Sequence, residues 1–170
     1  CVALARAAGA SQVIMIGGSP GRLEASSHAG ATLCLDRRAT SAESRRQAIL
    51  DLTHGRGADL AIEAAGSTSA ACEALDVVRV GGTVTWVGFG TPVGEMRLSP
   101  FEQIVRKNVR VQGVWVSDLR HTLRAMNVIR RDPRAFDGLV THRYPLAEAT
   151  LALEAVEGRQ ALKVVLEPTP

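Results

Sequence analysis

Two stretches constrain the fold most: G-R-G-A-D-L-A-I-E-A-A-G over residues 55–66 and V-G-G-T-V-T-W-V-G over residues 80–88. Each is a loop, an apolar run of strand length, and then small residues where a strand should end. Leu60 to Ile62 and Val84 to Val87 read as strands without a polar face, the pattern of parallel strands covered by helices on both sides. In open parallel sheets, ligands sit beyond the carboxyl ends of the strands. Gly66, Gly88 and Gly90 fall there, where a missing Cβ lets a flat group approach the backbone. The two stretches read as part of a nucleotide-binding sheet.

The start of the chain is the second constraint. Residues 1–9, C-V-A-L-A-R-A-A-G, read as a helix capped by Gly9. A dinucleotide fold ordinarily precedes this helix with a strand and a G-x-G-x-x-G turn, which delivers the pyrophosphate to the helix N-terminus. Neither stands before residue 1, so the expectation is the back part of a longer protein.

The rest alternates strand and helix. Strands are expected at 12–16, 32–35, 60–63, 82–87 and 109–114. Helices are expected from Pro20 to about His28, from Ser41 to Gly55, from Ser67 to about Val78, from Ser99-Pro100 to about Lys107, and over 117–130. This spacing implies parallel βαβ units, with 32–35 beside 12–16 and 59–63 beside 83–88. The rhythm changes near Asp132-Pro133. A strand at 140–144, a helix at 145–157 and a last strand at 162–166 read as additions outside the main sheet.

Composition narrows the function classes. With 170 residues there is enough chain for one domain with a sizeable core. Only 4% of residues are aromatic, so the core is expected to be aliphatic. The net charge of +3 comes from 18 Arg and 2 Lys, and no basic run exceeds two residues. That dispersal argues against nucleic-acid binding and puts the arginines on solvated helix faces. Cys1, Cys34 and Cys72 are odd in number and far apart, which fits a reducing cytoplasm better than a disulfide framework. No apolar run approaches the ~20 residues of a membrane span. His28, His54, His121 and His142 share no ligand spacing, so no zinc site is expected inside this chain. No nucleophile arrangement stands out, and no residue is singled out as catalytic.

A-L-A-R-A-A-G-A, G-R-G-A-D-L-A-I-E-A-A-G, G-G-T-V-T-W-V-G, I-V-R-K-N-V, L-V-T-H-R-Y-P-L and A-L-K-V-V-L occur in this order from the first residues to about Leu166. In these pieces the chain resembles the C-terminal, cofactor-binding half of the medium-chain zinc-dependent alcohol dehydrogenases, near the sorbitol and threonine dehydrogenase branches. The resemblance implies an α/β, Rossmann-type parallel sheet with helices on both faces, lacking its first strand and glycine-rich turn. Residues 1–138 would be a partial NAD(P)-binding domain. Residues 139–170 would return to an absent GroES-like catalytic domain that carries the zinc. The parent would pass hydride between an alcohol and NAD or NADP, and would be a homodimer or homotetramer joined through the 109–114 edge strand. Two alternatives stay open: a zinc-free reductase of the same superfamily, quinone reductase-like, and a non-catalytic remnant.

The resemblance also implies where the cofactor would lie. Gly17, Gly18, Ser19 and Arg22 end the first strand of this chain, where an NAD-specific fold carries an acid for the adenosine ribose. Gly17 replaces that acid, so a 2′-phosphate held by Ser19, Arg22 or Arg37 is as open a reading as NAD. Asp36 would border the adenine, or serve as a turn residue. Ala65 and Gly66 would leave room for the dinucleotide. Gly88, Phe89, Gly90, Trp115 and Val116 would hold the nicotinamide carboxamide and wall the substrate pocket, with a core aromatic as the other reading of Trp115. Lys163 would reach the pyrophosphate from the last strand.

Overall fold

The structure, a computed structural model, describes residues 1–168. Its helices and strands are α1 (Val2–Ala7), β1 (Ile14–Gly17), α2 (Pro20–His28), β2 (Leu33–Asp36), α3 (Ala42–Leu52), β3 (Ala58–Glu63), α4 (Thr68–Val77), β4 (Val78–Trp86), β5 (Arg110–Gly113), α5 (Leu119–Arg131), β6 (His142–Pro145), α6 (Ala149–Glu157) and β7 (Val164–Glu167). Local chemistry sets several boundaries. Pro20 opens α2 at a position where its missing N–H is not needed. Ser41 and Ser67 cap α3 and α4, accepting from the N–H groups of Ser44 and Ala70 at 3.1 and 3.3 Å.

All strand pairs are parallel. β1 pairs with β2, β4 lies between β3 and β5, and β6 pairs with β7. The expected neighbours 12–16 with 32–35, and 59–63 with 83–88, are therefore present. The β6–α6–β7 unit forms a two-stranded sheet of its own, as does the β1–β2 pair. The fold is an α/β, Rossmann-like arrangement of parallel sheets with helices. It divides into two compact units, Ala39–Asp118 and, separately, Cys1–Arg38 with the chain from Leu119 onward.

The core of the 39–118 unit is aliphatic. Ala74, Leu75, Val78, Val84 and Val109 are buried together, with Ala61, Trp86, Leu98, Ile104 and Val111 packed around them. Val84 is fully buried because it sits on the central strand of three. Arg45, expected on a solvated face, is buried instead. Its Nε and Nη2 donate to both carboxylate oxygens of Glu73 at 2.6 and 2.9 Å, tying α3 to α4. The hydrogen bond to Glu73 raises the guanidinium pKa further, outweighing its desolvation.

Three other expectations need correction. β3 is covered on one face only: Ala61 and Glu63 point inward, whereas Leu60 and Ile62 are 51% and 41% exposed. An apolar run without alternation does not reveal which of its faces a given unit covers. The helix expected over 100–107 is a π-helical turn, Phe101–Val105, with the N–H of Arg106 donating to the carbonyl of Phe101. Its wide end coincides with tertiary bonds at Lys107. The Lys107 carbonyl accepts from Gly81 N–H, and its ammonium donates to the Leu75 carbonyl at 2.6 Å. Partial burial holds that ammonium below the usual lysine range. Finally, Lys163 immediately precedes β7 rather than lying within it.

Candidate functional site

Because β3, β4 and β5 run parallel and adjacent, their carboxyl ends share one edge of the sheet. Residues 64–67, 87–90 and 114–116 leave from that edge, so Ala65, Gly66, Gly88, Phe89, Gly90, Trp115 and Val116 are brought to one side of the 39–118 unit. Glu63, absent from the sequence-derived candidates, organises them. It is 3% exposed, and its Oε1 accepts from the N–H groups of Ala65 at 2.8 Å, Gly66 at 2.7 Å and Ser67 at 3.4 Å. Its main-chain carbonyl accepts from Val87 and Gly88 N–H, so one residue pins two loops. The signal in the sequence was an acid closing an apolar strand directly before A-A-G-S, where turn N–H groups need an acceptor.

Gly66 and Gly88 approach each other closely. Gly66 has φ +69°, and a Cβ on it would collide with the Gly88 carbonyl oxygen. A Cβ on Gly88 would collide with Gly66 N and lie 2.7 Å from Glu63 Oε2. These two glycines are required by backbone packing, whatever binds beyond them. A Cβ on Gly90, by contrast, would meet open space. Phe89 sets its ring edge-on to Trp86, with centroids 6.2 Å apart and planes at 81°. Glu63 Oε2 and Trp86 Nε1 are buried polar atoms that find no hydrogen-bond partner among the described residues. Trp115 and Val116 are 71% and 72% exposed, so Trp115 is not a core aromatic. Val116 also holds φ +49°, an uncommon conformation for a β-branched residue.

A second group of candidates lies at the carboxyl ends of β1 and β2. Gly17 is in register with Asp36, and its carbonyl accepts from Arg37 N–H at 2.8 Å. Ser19 is the N-cap residue of α2, and its hydroxyl accepts from no N–H of the helix end among the described residues. Arg22 is exposed in the first turn of α2. The Asp36 carboxylate accepts from Arg38 N–H at 2.8 Å, a local turn contact. Arg38 was not among the sequence-derived candidates. Lys163 is exposed, and its carbonyl accepts from Thr141 N–H at 3.0 Å.

Other reactive residue types have local roles. Burial raises the Cys34 thiol above its usual range, which disfavours the thiolate. His142 stacks on Tyr144, with ring centroids 6.3 Å apart, and bonds Thr141 Oγ1 at 2.9 Å. Among the described residues, no three His, Cys, Asp or Glu come together to hold a metal ion, and no helix is long and apolar enough to cross a membrane.

Parallel strands with glycine loops gathered at their carboxyl edge define a Rossmann-type nucleotide-binding protein. Residues 1–130 match the zinc-binding dehydrogenase family, and the chain belongs to that family. It is 31% identical to 5-exo-hydroxycamphor dehydrogenase of Pseudomonas putida over 170 residues, 99% of this chain and 47% of that protein. It is 30% identical to L-threonine 3-dehydrogenase of Bacillus subtilis over 168 residues, 98% of this chain and 47% of that one. The structure superposes on an alcohol dehydrogenase of Thermotoga maritima with a TM-score of 0.95 and 44% identity, covering 99% of this chain and 46% of the other. The chain thus spans about half the length of the curated relatives it matches. The zinc in the family's name has no ligand set among the described residues, so no metal chemistry is assigned to them.

Proposed function

We propose that this chain is the cofactor-binding part of an NAD(P)-dependent alcohol or polyol dehydrogenase, with residues 1–138 forming the nucleotide-binding portion and 139–170 a segment that packs with a catalytic domain. The carrying observation is the convergence of the 64–67, 87–90 and 114–116 loops on one strand edge, pinned by Glu63, in a chain of the zinc-binding dehydrogenase family. When bound, NAD or NADP supplies the hydride acceptor for alcohol oxidation. Gly88, Phe89 and Gly90 orient the nicotinamide through their backbone, and Trp115 and Val116 exclude water from one side of it. Ala65 and Gly66 leave space along the dinucleotide, and Lys163 offers its ammonium to the pyrophosphate. Gly17, Gly18, Ser19, Arg22 and Asp36 flank the adenosine. The open space beside Gly90 leaves room for a ligand at this strand edge. Zinc and the alcohol belong to the other half of the enzyme in this reading, the assembly is a homodimer or homotetramer through the β5 edge, and the setting is the cytoplasm.

This sequence holds no G-x-G-x-x-G turn. Two or three charge-assisted bonds to the pyrophosphate, each worth roughly 1.5–3 kcal/mol, are then lost. Affinity should fall by about two to six powers of ten relative to a complete site. Calorimetric titration of the 170-residue chain with NAD and NADP should give at most millimolar binding, without alcohol-dependent NAD(P)H formation. Joined behind the front half of the Thermotoga enzyme, the same chain should support that reaction. Micromolar binding by the chain alone would overturn the pyrophosphate argument. A folded, zinc-loaded chimera that forms no NAD(P)H would overturn the functional reading.

A further inference from the structure

The carboxyl end of β1 carries no side chain at two successive positions: Gly17 faces Leu23 and Met15, and Gly18 faces two cations. A Cβ on Gly18 would lie 2.9 Å from Arg37 Nε and 3.4 Å from Arg38 Nε. Two guanidinium groups from the segment after β2 thus lean over one glycine of the turn after β1. Both arginines are exposed, and among the described residues neither guanidinium meets a carboxylate. The acid closest in sequence, Asp36, turns one carboxylate oxygen onto the main-chain N–H of Arg38. Arg22, in the first turn of α2, adds a third positive charge within the same compact unit.

In this class of fold, an acid at the end of such a strand accepts from the ribose 2′-hydroxyl, whereas an arginine accommodates a 2′-phosphate. A carboxylate would repel that phosphate, and none is carried by Gly17. A guanidinium fork pairs with phosphate oxygens two at a time, which gives geometry as well as charge. We infer that Arg37 and Arg38, over the side-chain-free Gly17–Gly18 turn, form a 2′-phosphate corner that selects NADP over NAD. This rests on the cofactor-binding reading above.

The adenosine end can be tested without the rest of the cofactor. The 170-residue chain is titrated by calorimetry with adenosine 2′,5′-bisphosphate, 5′-AMP and inorganic phosphate. The bisphosphate should bind at least about tenfold more tightly than 5′-AMP or phosphate. Arg37→Ala and Arg38→Ala, both at exposed positions, should each weaken the bisphosphate several-fold and leave 5′-AMP unchanged. Gly17→Asp is a second approach, since its Cβ meets only the flexible ends of Leu23 and Met15. It should bring the two nucleotides to equal affinity. Equal binding of both nucleotides by the unaltered chain would overturn the selectivity and leave the cofactor reading standing. Inorganic phosphate binding as tightly as the bisphosphate would reduce the corner to a general anion patch and overturn it. Binding of neither nucleotide up to millimolar concentration would overturn the corner, whereas the cofactor reading stands or falls with the chimera.

Discussion

At the scale of single residues, the most consequential charge in the 39–118 unit is one that composition misplaces. Eighteen arginines spread along a chain suggest solvated faces, yet Arg45 is buried and bidentate to Glu73. Breaking such a pair from one side leaves an uncompensated buried charge, so Glu73→Ala should cost about 3 kcal/mol in chemical denaturation. A variant within 1 kcal/mol of the parent would mean that water reaches Arg45. Asp59 is the exposed counterpart. Hydrogen bonding from Arg79 leads the effects that hold its carboxyl below the usual range, with the charges of Arg79 and Arg56 adding to it. A lowered folded-state pKa contributes stability above the ordinary carboxylate value, and that contribution is lost as pH falls through the folded one. Because the side chain is 71% exposed, the contribution is under about 1 kcal/mol. Asp59→Asn should therefore lower stability slightly at neutral pH, and the difference from the parent should vanish in acid denaturation well below pH ~4.

At the scale of elements, what could be read from sequence was whatever local chemistry decides. Pro20, Ser41 and Ser67 start their helices by supplying or excusing a single backbone bond, and each start matches the structure. Strand neighbours were legible too, since βαβ connections fix them. The π-helical turn was not, because its end is bonded to residues more than twenty positions away, Leu75 and Gly81. The site divides in the same way. Its glycines were visible as a pattern, but the reason for two of them was not: Gly66 and Gly88 face each other, held by a glutamate that read as the last residue of a strand. Gly66→Ala adds a Cβ to a residue at φ +69° and drives it into the Gly88 carbonyl. The expected cost is about 2–4 kcal/mol, read from the shift in unfolding midpoint. An unchanged midpoint would mean that the two loops separate easily.

At the scale of the whole molecule, the central claim is that the carboxyl edges of the parallel strands in this chain bind a dinucleotide. The strands also have an opposite end, where Gly55, Arg56, Arg79 and Val80 line an open hollow of about 380 Å³ on the 39–118 unit. That hollow is the alternative location for an anionic ligand, although both guanidinium groups beside it already pair with Asp59. The two ends are separated cleanly by a residue-resolved titration. Isotope-labelled 170-residue chain is titrated with NADP to millimolar concentration, and the backbone amide shifts are followed by NMR. Dinucleotide binding at these strand ends predicts progressive shifts, short of saturation, confined to 17–22, 36–38, 64–67, 87–90, 114–116 and 163, and none at 55–56 or 79–80. Shifts at the opposite end, or no shifts anywhere, would contradict it.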